Sequence, residues 1–137
     1  MKRKWIEVLP LWVLVITFLL VAFLPTQLGV WTEFKMYESD RNELIHGVRN
    51  GQIVLEQKSF NSDLLLLPPK YSHLSDGGEI FMNQAKTSFF FYSYRGILSD
   101  FNGFIYVNDS HVNDIFEIFD SYHTIKKLNE HWYWVIS

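Results

Sequence analysis

The sequence predicts an α+β fold: one N-terminal transmembrane helix, then a small domain in which a short helix precedes a mainly antiparallel sheet. Three observations carry this expectation. Residues 8–32 contain no charged side chain. Leu44, Ile45 and Val48 form an apolar stripe at helical spacing, just ahead of Gly51. Beyond Gly78, short runs rich in aromatic and β-branched residues alternate with turn signals, the pattern of strands.

The apolar segment begins behind a basic cluster, Lys2, Arg3 and Lys4, and behind Glu7. From Val8 to Leu24 nearly every position is Leu, Val, Ile, Phe or Ala. At ~1.5 Å per residue that stretch reaches roughly 26 Å, and one further turn covers the ~30 Å hydrocarbon thickness. Thr17 carries a hydroxyl that can bond back to its own helix. Trp5 and Trp31 bracket the run as headgroup anchors do. Pro10 suits the first turns and Pro25 the far end. Residues 1–7 therefore read as a cytoplasmic basic flank, and 8–32 as a signal-anchor helix with its exit. Residues 33–137 read as a small extracytoplasmic domain. Lys and Arg are retained on the cytoplasmic side, which places the N-terminus inside. A cleaved signal peptide, releasing a secreted domain, is the alternative; no small-residue exit follows Ala22 to favour it.

The chain has 137 residues, no Cys, a net charge of −3 and a mean hydropathy of +0.00. Absence of Cys excludes a disulfide scaffold, a Cys-ligated zinc module and a thiol nucleophile. Residues 33–137 hold nine cations against fourteen anions, which argues against nucleic acid and against an anionic lipid surface as partners of that domain.

Within the domain, residues 39–51 read as a helix, with Asp40 and Glu43 as a capping pair and Gly51 as the stop. Phe34, Tyr37, Arg41, Leu44 and Val48 form a short heptad-like seam, best explained by packing on the helix's own domain. Residues 52–56 read as a short strand, residues 63–67 as an apolar run halted by Pro68 and Pro69, and residues 75–78 as a turn. Strands are expected over 79–83, 87–94 and 103–108. The second of these, with Phe89 and Phe91 on one side and Phe90, Tyr92 and Tyr94 on the other, is the central, two-sided one. Val112, Ile115, Phe116 and Phe119 mark one face of a helix, and residues 124–128 and 131–136 a terminal hairpin.

Residues 67–78, from Leu67 through Pro68, Tyr71 and His73 to Gly78, and residues 89–106, from Phe89 through Arg95, Gly96, Phe101 and Gly103 to Tyr106, carry a resemblance. The chain resembles small single-pass bacterial membrane proteins with an aromatic- and glycine-rich extracytoplasmic domain and no assigned activity. That resemblance implies a bacterial membrane protein and brings no functional residues with it.

Chemistry-bearing sets are sparse. Of His46, His73, His111, His123 and His131, the nearest to ligand spacing is the set Asp109, His111 and Asp114, with Asp120 and His123 behind it. These fall in a polar turn and on the solvent face of the expected helix, so no metal is assigned. No nucleophile elbow, zincin helix or phosphate loop is present. Ser72 or Ser75 with His73 and Asp76 supplies the pieces of a triad, without evidence of its geometry. No cofactor and no catalytic residue is assigned.

What remains is a membrane-anchored binding or accessory domain, held in the bilayer by residues 8–28 and meeting a membrane or envelope protein. An anchored hydrolase or metal-dependent enzyme is the alternative. Aromatic residues and Arg are enriched at binding surfaces, so the candidate surface is Arg95, Asp100, Phe101 and Phe104, around the end of the most aromatic strand. In the absence of a partner, Arg95 would be an ordinary loop charge or form an ion pair with Asp100.

Overall fold

The computed structural model describes residues 4–23, 26–59, 63–97, 100–108 and 124–137. The chain divides into two compact units, Met1–Met36 and Tyr37–Ser137. The expected helix around Val112–Phe119 lies outside the described residues.

Helix α1 covers Lys4–Phe23 and contains Pro10. The proline therefore stands more than one turn inside the helix, where it forgoes a backbone hydrogen bond, instead of opening it. The Thr17 hydroxyl donates to the Val13 carbonyl at 2.7 Å, the back-bond expected of a hydroxyl with no other partner. Every side chain described in α1, Pro10 to Val21, is exposed. Among the described residues no helix is long and apolar enough to cross a membrane. Those described α1 side chains extend over only about 18 Å.

Helix α2 runs from Thr26 to Arg49. It starts well before the expected boundary, so Asp40 is an interior residue and not a cap. Its C-terminus is as anticipated. Gly51 takes φ +75°, Gln52 N–H donates to the Gly47 carbonyl at 2.9 Å, and Gly51 N–H donates to the Val48 carbonyl at 3.2 Å. This Schellman arrangement satisfies carbonyls that the helix end leaves open. Ile53 N–H also turns back to Gly47, which keeps residues 52–55 out of any strand.

Seven strands form one antiparallel sheet: β1 (Glu56–Gln57), β2 (Leu64–Leu66), β3 (Glu79–Met82), β4 (Ser88–Arg95), β5 (Phe101–Val107), β6 (Thr124–Lys127) and β7 (Trp132–Ile136). Their order across the sheet is β1-β2-β3-β4-β5-β7-β6. The predicted α+β class with a mainly antiparallel sheet is therefore observed. The apolar run before Pro68 is itself a strand, and β1 is shorter and later than expected. Between β2 and β3 the chain makes two 3-10 turns, and Gly77 and Gly78 there adopt φ of +73° and +66°.

Register explains which residues share a face. Phe89 pairs with Tyr106, Phe91 with Phe104, Phe104 with Trp134 and Tyr106 with Trp132. These side chains occupy one face, where Arg41 of α2 approaches Phe91 and Phe104. The opposite face carries a second cluster of Phe90, Ile105, Val107, Tyr133 and Val135, flanked by Phe81, Tyr92, Phe101 and Ile125. Phe89, Phe90 and Phe91 are all fully buried, the two-sided burial foreseen for a central strand. Gly103 faces Tyr92 across the β4–β5 ladder; a Cβ there would run into the Phe91 carbonyl and come within 2.8 Å of the Phe90 ring. Only glycine permits this approach.

One departure matters for the candidate surface. The β4–β5 register shifts between Tyr92 and Tyr94, leaving Ser93 as an extra residue. Strict alternation would keep Tyr92 and Tyr94 on one side. The bulge instead moves Tyr94 across and returns Arg95 to the side of Tyr92.

Candidate functional site

The Arg95 corner is built by that bulge. Arg95 Nη1 donates to Glu79 Oε2 at 2.7 Å, and its guanidinium stands 4.7 Å from the Tyr92 ring centroid. The Lys58 ammonium grips the other Glu79 oxygen, so two cations clasp a carboxylate whose side chain is only 6% exposed. Burial pushes the Glu79 pKa up, but the bonds from Lys58 and Arg95 outweigh it and hold the carboxyl below its ordinary value. Burial raises the Tyr92 phenol. Asp76 accepts from the Arg95 backbone N–H at 3.1 Å. The Ser75 hydroxyl donates to the Glu79 carbonyl and accepts from Tyr92 N–H.

The residues expected to form one surface do not do so. Arg95 pairs with Glu79 and not with Asp100. Asp100 is exposed, and its carbonyl closes the hairpin by accepting from Gly96 N–H at 2.6 Å. Phe101 is partly buried against Phe90 and Tyr92, with centroids 5.6 and 6.1 Å away. Phe104 is fully buried on the other face, 4.3 Å from the Arg41 guanidinium and 4.7 Å from the Trp134 centroid. Residues three apart on a strand point to opposite faces, so Phe104 is core and cannot join Phe101 at a partner.

The pieces of the triad are likewise dispersed. Ser75 is spent on backbone groups, Ser72 donates to the Pro69 carbonyl, and the carboxylate nearest His73 is Asp40, at 3.6 Å. The set from Asp109 to His123 lies outside the described residues. Among the described residues no group of three or more His, Asp or Glu is placed to hold a metal.

A different site emerges where α2 meets the β5 and β7 ends. A hollow of about 540 Å³ is lined by Glu38, Asn42, Ile45, His46 and Arg49 on the helix and by Tyr106, Asn129, Glu130, His131 and Trp132 opposite. The helical members recur at near-multiples of one turn, so they form one wall. Asn129 shapes the other. Its Oδ1 accepts from the backbone N–H groups of His131 and Trp132, both at 3.0 Å, and its Nδ2 donates to Glu38 at 2.8 Å. Trp132 Nε1 donates to Asn42 Oδ1 at 3.2 Å, which fixes the indole against the helix.

At the far end, Arg49 Nη1 and the Tyr106 hydroxyl both donate to Asn108 Oδ1, at 2.8 and 3.3 Å. His131 Nδ1 lies 3.2 Å from the Val107 carbonyl. A carbonyl only accepts, so a neutral ring carries its proton on Nδ1 and leaves Nε2 as an acceptor. Polar groups thus converge around an aromatic and aliphatic floor, the makeup of a small-ligand site.

None of these wall residues was singled out as a site in the sequence. His46 and His131 were visible only as histidines, and Asn129 only as part of a polar break. Ile45 stands in the apolar stripe with Leu44 and Val48, and it lines the floor of the hollow.

Comparison with protein-family models, with curated proteins and with solved structures finds no match to this chain.

Proposed function

We propose that the chain is a single-pass membrane protein that presents a small extracytoplasmic binding domain, anchored by residues 8–28 with its N-terminus in the cytoplasm. The domain acts by binding, as an accessory to a membrane or envelope assembly. The observation that supports the anchor is the surface of α1. Leu11, Trp12, Val13, Leu14, Phe18 and Leu20 point all round the helix and are between 57% and 70% exposed. Apolar surface on every side of a helix has a stable home in lipid and not in water. Lys2, Arg3 and Lys4 beside it supply the inward bias. The hollow between α2 and the β7 turn is the binding element, because it gathers hydrogen-bonding groups around Trp132 and Ile45.

Alkaline extraction of membranes holding the full chain, with a reporter at Ser137, tests the anchor and its direction. Retention in the pellet with an externally active reporter is the expected result. Release at high pH, or a reporter active only in the cytoplasm, refutes it. A photo-crosslinking residue at His46 should trap a ligand or partner in cells while the same residue at Ile97 does not; equal or absent trapping at both removes the hollow from the reading.

A further inference from the structure

The hollow is polarised along its length. Glu38 stands at one end of the helical wall and Arg49 at the other, eleven residues apart, or roughly 16 Å. The opposite wall follows the same polarity. Glu130 adjoins Asn129, which bonds Glu38, while Tyr106 shares Asn108 with Arg49. Among the described residues neither Arg49 nor Glu130 forms an ion pair. Both charges line the hollow.

We propose that the hollow binds a short peptide in extended form, its ammonium end at Glu38 and Glu130 and its carboxylate end at Arg49. This rests on the binding role assigned to the hollow above and names its ligand class. Charge separation selects the class. An amino acid or a zwitterionic lipid headgroup holds its charges only a few bonds apart and cannot reach both ends. An extended chain advances ~3.3 Å per residue, so about five residues span the distance. The middle of the hollow suits a peptide backbone: Asn42 Nδ2 is a donor for a carbonyl, and His131 Nε2 is an acceptor for an N–H. Ile45, Tyr106 and Trp132 offer an apolar side chain a place to rest. Guanidinium with carboxylate, and carboxylate with ammonium, supply charge-assisted hydrogen bonds at the two ends.

The test uses the full-length chain in lipid nanodiscs, titrated calorimetrically with the pentapeptide Ala-Ala-Phe-Ala-Ala. Saturable binding is expected with both termini free, at least tenfold weaker when either the amino end is acetylated or the carboxyl end amidated. Arg49→Met should abolish sensitivity to the amide while keeping sensitivity to the acetyl group, and Glu130→Gln the reverse. Both residues are exposed, and circular dichroism of each variant confirms that the domain still folds. Equal affinity for capped and free peptides, no peptide binding, or tighter binding of phosphoethanolamine than of peptide overturns the proposal. If cross-linking at His46 persists while the peptide fails, the ligand class falls and the binding role stands; if both fail, the hollow is not the site.

Discussion

The Arg41 guanidinium lies 4.3 Å from the ring centroid of Phe104, and the whole arginine is only 1% exposed. Tyr37 and Phe91 stand 5.6 Å away from the same cation, and its Nε and Nη2 donate to the Leu74 carbonyl at 3.4 and 3.2 Å. A cation in the core is tolerated here because aromatic faces and a carbonyl replace part of its hydration. Arg41→Ala should cost about 3 kcal/mol, through a cavity and an unmet carbonyl. Arg41→Lys should cost about 1–2 kcal/mol, since an ammonium neither forks nor stacks in the same way. Urea unfolding of the two variants checks both values, and a Lys variant as stable as the native chain would show that the stack contributes nothing.

Glu79 makes stability depend on acid. Its pKa is depressed in the folded state, so the stabilisation from Lys58 and Arg95 is complete above the usual carboxylate value of 4.5 and fades as pH falls through the lower folded value. Glu79→Gln should lose about 1–2 kcal/mol at neutral pH, moderated because both cations are partly in water. It should also flatten the acid side of a stability–pH profile measured by thermal unfolding. An unchanged slope below the usual carboxylate value of 4.5 would contradict the clasp.

Gly103 should resist replacement. Gly103→Ala drives a methyl into the Phe91 carbonyl in the middle of the sheet, at an expected cost of about 3 kcal/mol. Because β4 is central, loss of stability should appear together with loss of amide protection along β4 and β5 in hydrogen exchange.

Asn129 links the fold to the hollow. Asn129→Ala removes acceptors from two backbone N–H groups and a donor from Glu38, and should cost about 2 kcal/mol. Asn129→Asp keeps the acceptor but sets a second negative charge against Glu38, so it should cost stability while strengthening the attraction of that end of the hollow for a peptide ammonium. Peptide affinity and urea midpoint measured on the same preparations separate the two effects.

The sheet was largely legible because side-chain alternation and two-sided apolar runs are local signals, and β3, β4 and the terminal hairpin follow them closely. The stop at Gly51 was legible for the same reason. The early start of α2 was not, since Thr26–Ser39 carries no clear stripe. The hollow was invisible because its walls come from residues 38–49, 106 and 129–132, brought together by packing that no short window encodes. The pairing of Arg95 with Glu79 was missed because one extra residue in β4 changes the side to which everything beyond it points.

That extra residue, Ser93, is the one position near the end of β4 that the ladder can give up without losing its pairs. Deleting it would restore plain alternation while leaving Tyr94 opposite Asn102 and Arg95 opposite Phe101, so Arg95 would stay on the side of Tyr92 and keep Glu79 within reach. A single-codon deletion at this position should therefore be absorbed much as a substitution is. The facing of Arg95 toward Glu79, more than the residue count of β4, is what this corner of the protein has to preserve.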